Sequence, residues 1–171
     1  MALRRRGRPH KIDSERAGDP GAALSVATSL LRARDHGGGE LESKLRSRGF
    51  ESSAATAAVS ELGELGLIDD RRYAESFVRQ HAGRGQGPVR IAAELRERGL
   101  SSELIEAALS TIPSWPAVAH AARVRRFGRE SPASWAEKAR QARFLQYRGF
   151  SSDHIGSALG PDPDPDINLE T

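Results

Sequence analysis

Cysteine is absent, methionine occurs once, and aromatic side chains make up only 5% of the 171 residues. Without cysteine the chain has no disulfide framework and no thiolate metal site, which fits a cytoplasmic protein. No apolar run approaches the ~18 residues needed to cross a bilayer. The basic start MALRRRGRPHK is not followed by the apolar stretch of a secretory signal. The five histidines, His10, His36, His81, His120 and His154, are scattered with no i,i+4 pair and no acidic cluster beside them. The glycines of HGGGE lack the following Lys-Ser/Thr of a phosphate loop. No metal, cofactor or nucleophilic site is expected. Lysine is scarce as well, since arginine supplies 23 of the 26 basic residues. The net charge of +3 and pI near 9.8 point weakly to an anionic partner. Arginine suits bidentate contact with phosphate or carboxylate, although genome composition produces the same bias.

What the chain does have is alanine, leucine, arginine and glutamate, all strong helix formers. HGGGE, GRGQGP and IPSWP cut it into helix-sized pieces. Residues 1–20 read as a basic, disordered arm and residues 161–171 (PDPDPDINLET) as an acidic Pro/Asp tail that cannot hold a helix. Between them one phrase occurs three times in step: LRSRGFESS from Leu45, LRERGLSSE from Leu95 and LQYRGFSSD from Leu145, 50 residues apart. Each leucine anchors the end of a helix. Gly49, Gly99 and Gly149 stand where that helix must stop, because glycine tolerates a left-handed conformation. Phe50, Leu100 and Phe150 can fold back on the last turn. Ser52, Ser102 and Ser152, or alternatively Ser101 and Ser151, cap a following helix, and Glu51 is the poorer cap of the first copy.

The register continues past the joint. Ala55, Ile105 and Ile155 align, as do Ala58, Ala108 and Ala158, then Val59, Leu109 and Leu159, the spacing of one buried helical face. Upstream, Ala27, Phe77 and Phe127 align. The expected helices are 22–34, 40–48, 52–65, 70–82, 88–98, 102–111, 116–129, 134–148 and 152–159. The fold class is therefore all-α, a tandem repeat of three three-helix units over residues 21–66, 67–112 and 113–160 that forms an elongated, curved molecule.

IAAELRERGLSSELIEAAL has the look of a helix-turn-helix, but a DNA reader presents basic or amide side chains on its second helix. Residues 51–70, 99–122 and 149–171 contain no lysine or arginine, and their carboxylates oppose phosphate. The arginines lie instead on the first two helices of each repeat. Arg71, Arg72, Arg79, Arg90, Arg96, Arg98, Arg123, Arg126, Arg140, Arg143 and Arg148 are candidates for a basic, partner-binding stripe. The competing explanation is ordinary solvated faces with Glu–Arg pairs such as Glu94 with Arg98. The Asp69–Asp70 pair resembles catalytic carboxylates, but its place just before a helix favours capping. Asp69, Asp70, Gly49, Gly99 and Gly149 are read as structural joint residues, with no catalytic residue among them. Trp115 and Trp135, at helix starts, read as packing plugs.

ELESKLRSRGF, LGELGLIDDRRYAESFVRQ and GQGPVRIAAELRERGLSSELIEAAL resemble the RecX family of bacterial recombination regulators, well over 24–112 and more weakly over 115–159. The resemblance implies a non-enzymatic protein that binds the RecA filament on single-stranded DNA. It implies inhibition of ATP hydrolysis and strand exchange in recombination, DNA repair and the SOS response. The partners it implies are that filament and weak non-specific DNA, for a cytoplasmic monomer with no membrane contact. In its terms Asp69, Asp70, Arg71, Arg72 and Tyr73 form the signature joint, continued by Arg90, Ile91, Glu94 and Leu95. DHGGGE departs from the family pattern. Three helical glycines would cost about 1 kcal/mol each relative to alanine, which predicts a first repeat that docks loosely. The alternative function is a sequence-specific helix-turn-helix DNA-binding regulator.

Overall fold

Capping and glycine geometry set the element boundaries. The computed structural model describes residues 16–161, so positions 1–15 of the basic arm and 162–171 of the Pro/Asp tail lie outside the described residues. The helices are α1 (Pro20–Ala33), α2 (Gly38–Ser47), α3 (Ser52–Glu64), α4 (Asp70–Gly83), α5 (Pro88–Glu97), α6 (Ser102–Leu109), α7 (Trp115–Phe127), α8 (Trp135–Tyr147) and α9 (Ser152–Leu159). There is no strand among the described residues, and every boundary falls within two positions of the expected one. Asp19 caps α1 by accepting from the Gly21 N–H, ahead of a first-turn proline. Ser101 and Ser151, rather than Ser102 and Ser152, cap α6 and α9, through the N–H groups of Leu104 and His154. Glu51 makes no side-chain cap to α3; its own N–H donates to the Ala17 carbonyl at 2.8 Å.

The repeated phrase is a helix-stopping motif at all three positions. Gly49, Gly99 and Gly149 have φ of 100°, 82° and 88°. The Phe50 N–H donates to the Leu45 carbonyl and the Gly49 N–H to that of Arg46; Phe150 and Gly149 repeat the pattern on Leu145 and Gln146. This satisfies helix-end carbonyls that would otherwise lack donors. Leu45, Leu95 and Leu145 are fully buried, and Phe50, Leu100 and Phe150 nearly so.

The described residues form two bodies. One holds the chain up to Tyr73 together with Arg98–Leu100, and the other Ala74–Glu97 and the chain from Ser101 onward. The core of the first is Ala23, Ala27, Leu41, Leu45, Phe50, Ala54, Ala55, Ala58 and Leu62, flanked by Leu30, Leu31 and Ile68. With so much alanine, α1, α2 and α3 approach closely. In the second body Ala119, Ala122, Leu145, Phe150, Ala158 and Leu159 unite α7, α8 and α9, and Val78, Ile91, Leu95, Ile105 and Ala108 are buried in α4, α5 and α6.

The three glycines at the start of α2, Gly37 as its N-cap and Gly38 and Gly39 in its first turn, are closely packed. Gly37 and Gly38 are buried. A Cβ on Gly39 would lie 2.9 Å from the Arg98 carbonyl oxygen and from the Gly99 Cα. Side chains are excluded there because the helix start abuts the backbone of a glycine turn. Gly37 gives α2 no side-chain cap; the cap comes from Asp70, whose Oδ1 accepts the Gly38 N–H at 2.7 Å. The second body builds a related seat. The N–H groups of Gly87 and Val89, at the start of α5, donate to the carbonyls of Arg148 (2.7 Å) and Gly149 (3.1 Å). A Cβ on Gly149 would sit 2.6 Å from the Arg90 nitrogen. Gly99 and Gly149 thus each end one helix and admit the start of another.

Beside the α2 cap, Glu40 accepts from both Nη atoms of Arg34, with His36 Nδ1 3.0 Å and Lys44 Nζ 3.7 Å away. Burial holds the His36 imidazole below its ordinary value, outweighing the opposing pull of Glu40. Burial pushes Glu40 the other way, but its bonds from Arg34 and His36 prevail and hold it below the usual carboxylate value.

Candidate anion-binding surface

The second half of α7 reads ARVRRF and α8 reads WAEKARQARFLQY. In α8, Arg140, Arg143, Phe144 and Tyr147 are spaced by three, one and three residues, so they share one helical face. Leu145 and Gln141 occupy the buried face. On α7 the last turn presents Arg125, Arg126 and Phe127. Phe127 and Phe144 meet edge to face, with ring centroids 5.3 Å apart. The guanidinium of Arg126 lies 5.7 Å and that of Arg140 5.5 Å from the Phe127 ring, and Arg148 lies 5.2 Å from Phe144. Such cation–π contacts at exposed sites are each worth about 0.5–1 kcal/mol and spread the arginines across an aromatic floor. Tyr147 is 83% exposed.

Two neighbouring depressions result, both within the second body. One, of about 240 Å³, is lined by Arg84, Ala122, Arg125, Arg126, Phe144 and Arg148. The other, wider and about 590 Å³, is lined by Arg126, Phe127, Arg140, Arg143, Phe144 and Tyr147. Neither lining contains a carboxylate. Two rim arginines are tied to backbone: Arg125 reaches the Gly83 carbonyl at 3.4 Å and Arg148 the Arg84 carbonyl at 3.3 Å. In the first body, by contrast, the depression on α3 is lined by Ala57, Ser60, Glu61, Glu64 and Leu65.

The eleven arginines expected on a stripe therefore have different fates. Arg126, Arg140, Arg143 and Arg148 are gathered here. Arg79 pairs with Glu75 at 3.8 Å and Arg90 with Glu94 at 3.0 Å, each one helical turn away. Arg71 and Arg72, on the first turn of α4, and Arg98 belong to the first body, while Arg96 is exposed on α5. Arg123 is only 3% exposed, so it is not a surface residue. Its guanidinium donates to the carbonyls of Glu130 (2.8 Å) and Arg129 (3.2 Å), with Gln141 Oε1 at 3.4 Å. Helical phase puts it on the inward face of α7, where it holds the following loop. Sequence reasoning missed the aromatic floor. The signal available was the Arg-Phe and Arg-x-x-x-Tyr spacing along α8.

Asp69 and Asp70 act as caps. Asp69 Oδ1 accepts the Arg72 N–H at 2.9 Å in the first turn of α4, while Asp70 serves α2 as described above. The second helices of the helix-turn-helix joints stay acidic. The Glu103 carboxyl is held below its usual value by bonds from its own N–H and from Ser101, so it is ionised at neutral pH. Trp135 is not a plug: it is 52% exposed with Lys138 Nζ 5.9 Å from its ring, whereas Trp115 packs on the α7–α9 core.

Comparison with known proteins connects this architecture to a family. Residues 69–109 match the family model described as RecX, second three-helix domain, and residues 117–159 that described as RecX, third three-helix domain. The chain belongs to the RecX family. Among curated RecX relatives, "Regulatory protein RecX" of Stenotrophomonas maltophilia (strain K279a) is 48% identical over 65 residues, 38% of this chain and 40% of that protein. The protein of the same name from Pseudomonas putida is 43% identical over 72 residues, 42% of this chain and 51% of that one. The chain thus matches about half or less of these relatives' length. The crystal structure of RecX from Lactobacillus salivarius superposes with a TM-score of 0.68 at 25% identity, covering 80% of this chain and 92% of that one. The all-helical RecX architecture is shared. No helix among the described residues is long and apolar enough to cross a membrane.

Proposed function

We propose that this chain is a non-enzymatic regulator that binds the RecA recombinase filament on single-stranded DNA and slows its ATP hydrolysis and strand exchange. What supports this reading is the carboxylate-free, arginine-rich and aromatic surface of α7 and α8 in a chain of the RecX family. Such a surface is suited to an anionic polymer, since arginine forks bind phosphate and carboxylate alike. Asp69 and Asp70 remain structural caps. Linked repeats that each make a modest contact bind strongly together through effective concentration. A regulator of this kind occludes the filament groove, with Arg71, Arg72, Arg79, Arg90, Arg96 and Arg98 adding contacts along it. It acts as a cytoplasmic monomer in recombination, DNA repair and the SOS response, with weak, sequence-blind DNA contact and no cofactor.

The test is co-sedimentation with recombinase filaments together with their ATPase rate. Binding is expected only when the filament is assembled, and Arg140→Ala with Arg143→Ala should weaken it about 10-fold and flatten its salt dependence. Equal binding to unassembled recombinase, or a double variant as inhibitory as the parent chain, would refute the reading.

A further inference from the structure

We propose that the four-arginine cavity of the second body, with the aromatic depression beside it, is a binding site for a free nucleoside polyphosphate. The inference does not depend on the filament reading, because the site is complete within this chain.

Charge density selects the ligand class. Arg84, Arg125, Arg126 and Arg148 line one cavity of about 240 Å³ whose other walls are Ala122 and Phe144. Guanidinium groups that line one cavity repel one another until an anion enters, and the lining holds no carboxylate. A nucleic-acid strand offers one charge per nucleotide, whereas a di- or triphosphate concentrates several charges in one small volume. The cavity is also partly pre-ordered. The Arg125 guanidinium is held at the Gly83 carbonyl, at 3.4 and 3.5 Å. Arg148 is fixed between the Arg84 carbonyl and the Phe144 ring. Arginines held in place before the ligand arrives lose less freedom on binding it.

Tertiary packing makes the cluster. Arg84 lies just after α4, Arg125 and Arg126 on α7, and Arg148 at the end of α8. The Arg84 loop is drawn onto α7 at Gly85, whose φ is 77° and whose added Cβ would sit 3.0 Å from the Ala122 Cβ. The second depression shares Arg126 and Phe144 with the first and adds Phe127, Tyr147, Arg140 and Arg143. Phosphates seated among the four arginines leave the base beside these rings. Base–aromatic stacking is tolerant of base identity because every base has a π face, so the site selects the polyphosphate more than the base. No bond is made or broken there.

Titration calorimetry on the full chain without recombinase, at fixed ionic strength, tests the proposal with ATP, ADP, AMP, tripolyphosphate and a short oligothymidylate. ATP should bind about 10-fold or more tightly than AMP. Arg84→Ala with Arg125→Ala should reduce ATP affinity about 10-fold or more, and Tyr147→Ala should weaken ATP but not tripolyphosphate. If the double variant unfolds by circular dichroism, the exposed Arg126→Gln gives the same readout. Oligothymidylate binding without ATP binding overturns the proposal in favour of a strand site. Equal affinity for AMP and ATP, full ATP affinity in the arginine variants, or a Tyr147→Ala variant unchanged towards ATP overturns it too. Since the filament test uses Arg140 and Arg143 with assembled recombinase, failure of one proposal is separable from failure of the other.

Discussion

Replacing Gly149 with alanine should destabilise the second body by about 3–5 kcal/mol. The first contribution is conformational. At φ of 88° a side chain costs about 1–3 kcal/mol. The second is the seat of α5. The new Cβ would fall 2.6 Å from the Arg90 nitrogen and overlap the Arg90 Cβ, so the start of α5 must move. That movement breaks the bonds from the Gly87 and Val89 N–H groups to the Arg148 and Gly149 carbonyls, each worth about 1 kcal/mol. Gly128 separates the two contributions. It has φ of 94° and nothing within 4 Å of an added Cβ, so Gly128→Ala should lose only the conformational part, about 1–3 kcal/mol. The two tryptophans, Trp115 and Trp135, both belong to the second body. Tryptophan fluorescence during urea denaturation therefore reports on that body, and the change in midpoint at constant m gives the free energy. If both variants lose the same amount, the close approach of α5 to the turn contributes nothing and the proposed double role of the joint glycine is wrong.

Other perturbations follow from the same contacts. Asp70→Ala should cost about 1–2 kcal/mol by uncapping α2 and speed hydrogen exchange at the Gly38 amide, while Asp70→Asn, which keeps an acceptor oxygen, should retain most of the protection. Arg123→Met should destabilise the second body by about 2–3 kcal/mol, because the Arg129 and Glu130 carbonyls lose a charged donor. Its affinity for anions should be unchanged, and a specific loss of binding would return Arg123 to the surface set. Stability of the first body should fall with acidification in two steps. His36, depressed in the fold, resists the proton that the unfolded chain takes up below its ordinary value of about 6.5, so stability declines as pH drops through that value. Glu40, also depressed, contributes above its unfolded value of about 4.3 and is lost as pH falls through the lower folded value. Equilibrium melts from pH 8 to 3 should show His36→Gln removing the first step and shrinking the second, which Arg34 then sustains by itself.

The helices were legible because their signals are local. Gly49, Gly99 and Gly149 with their flanking leucines and aromatics recur every 50 residues, and a helix stop depends only on adjacent backbone. The apolar period located the buried positions, as the burial of Leu45, Leu95 and Leu145 shows. For the glycines of HGGGE the local helix penalty is visible in sequence, while the backbone of residues 98 and 99 that fills the empty side of Gly39 is not. Arg123 was misread for a related reason. A run of arginines reads as surface, and only the phase of α7 against its neighbours turned this one inward.

The sequence by itself determined an all-α repeat protein with glycine-ended helices and basic residues kept off every third helix, since capping, periodicity and charge order act over a few residues. Tertiary structure alone decided that Asp70 caps a helix 32 positions away. It alone decided that Arg84, Arg125, Arg126 and Arg148 share a cavity. Those outcomes depend on distances between side chains far apart in the chain, which packing fixes and local propensity does not encode.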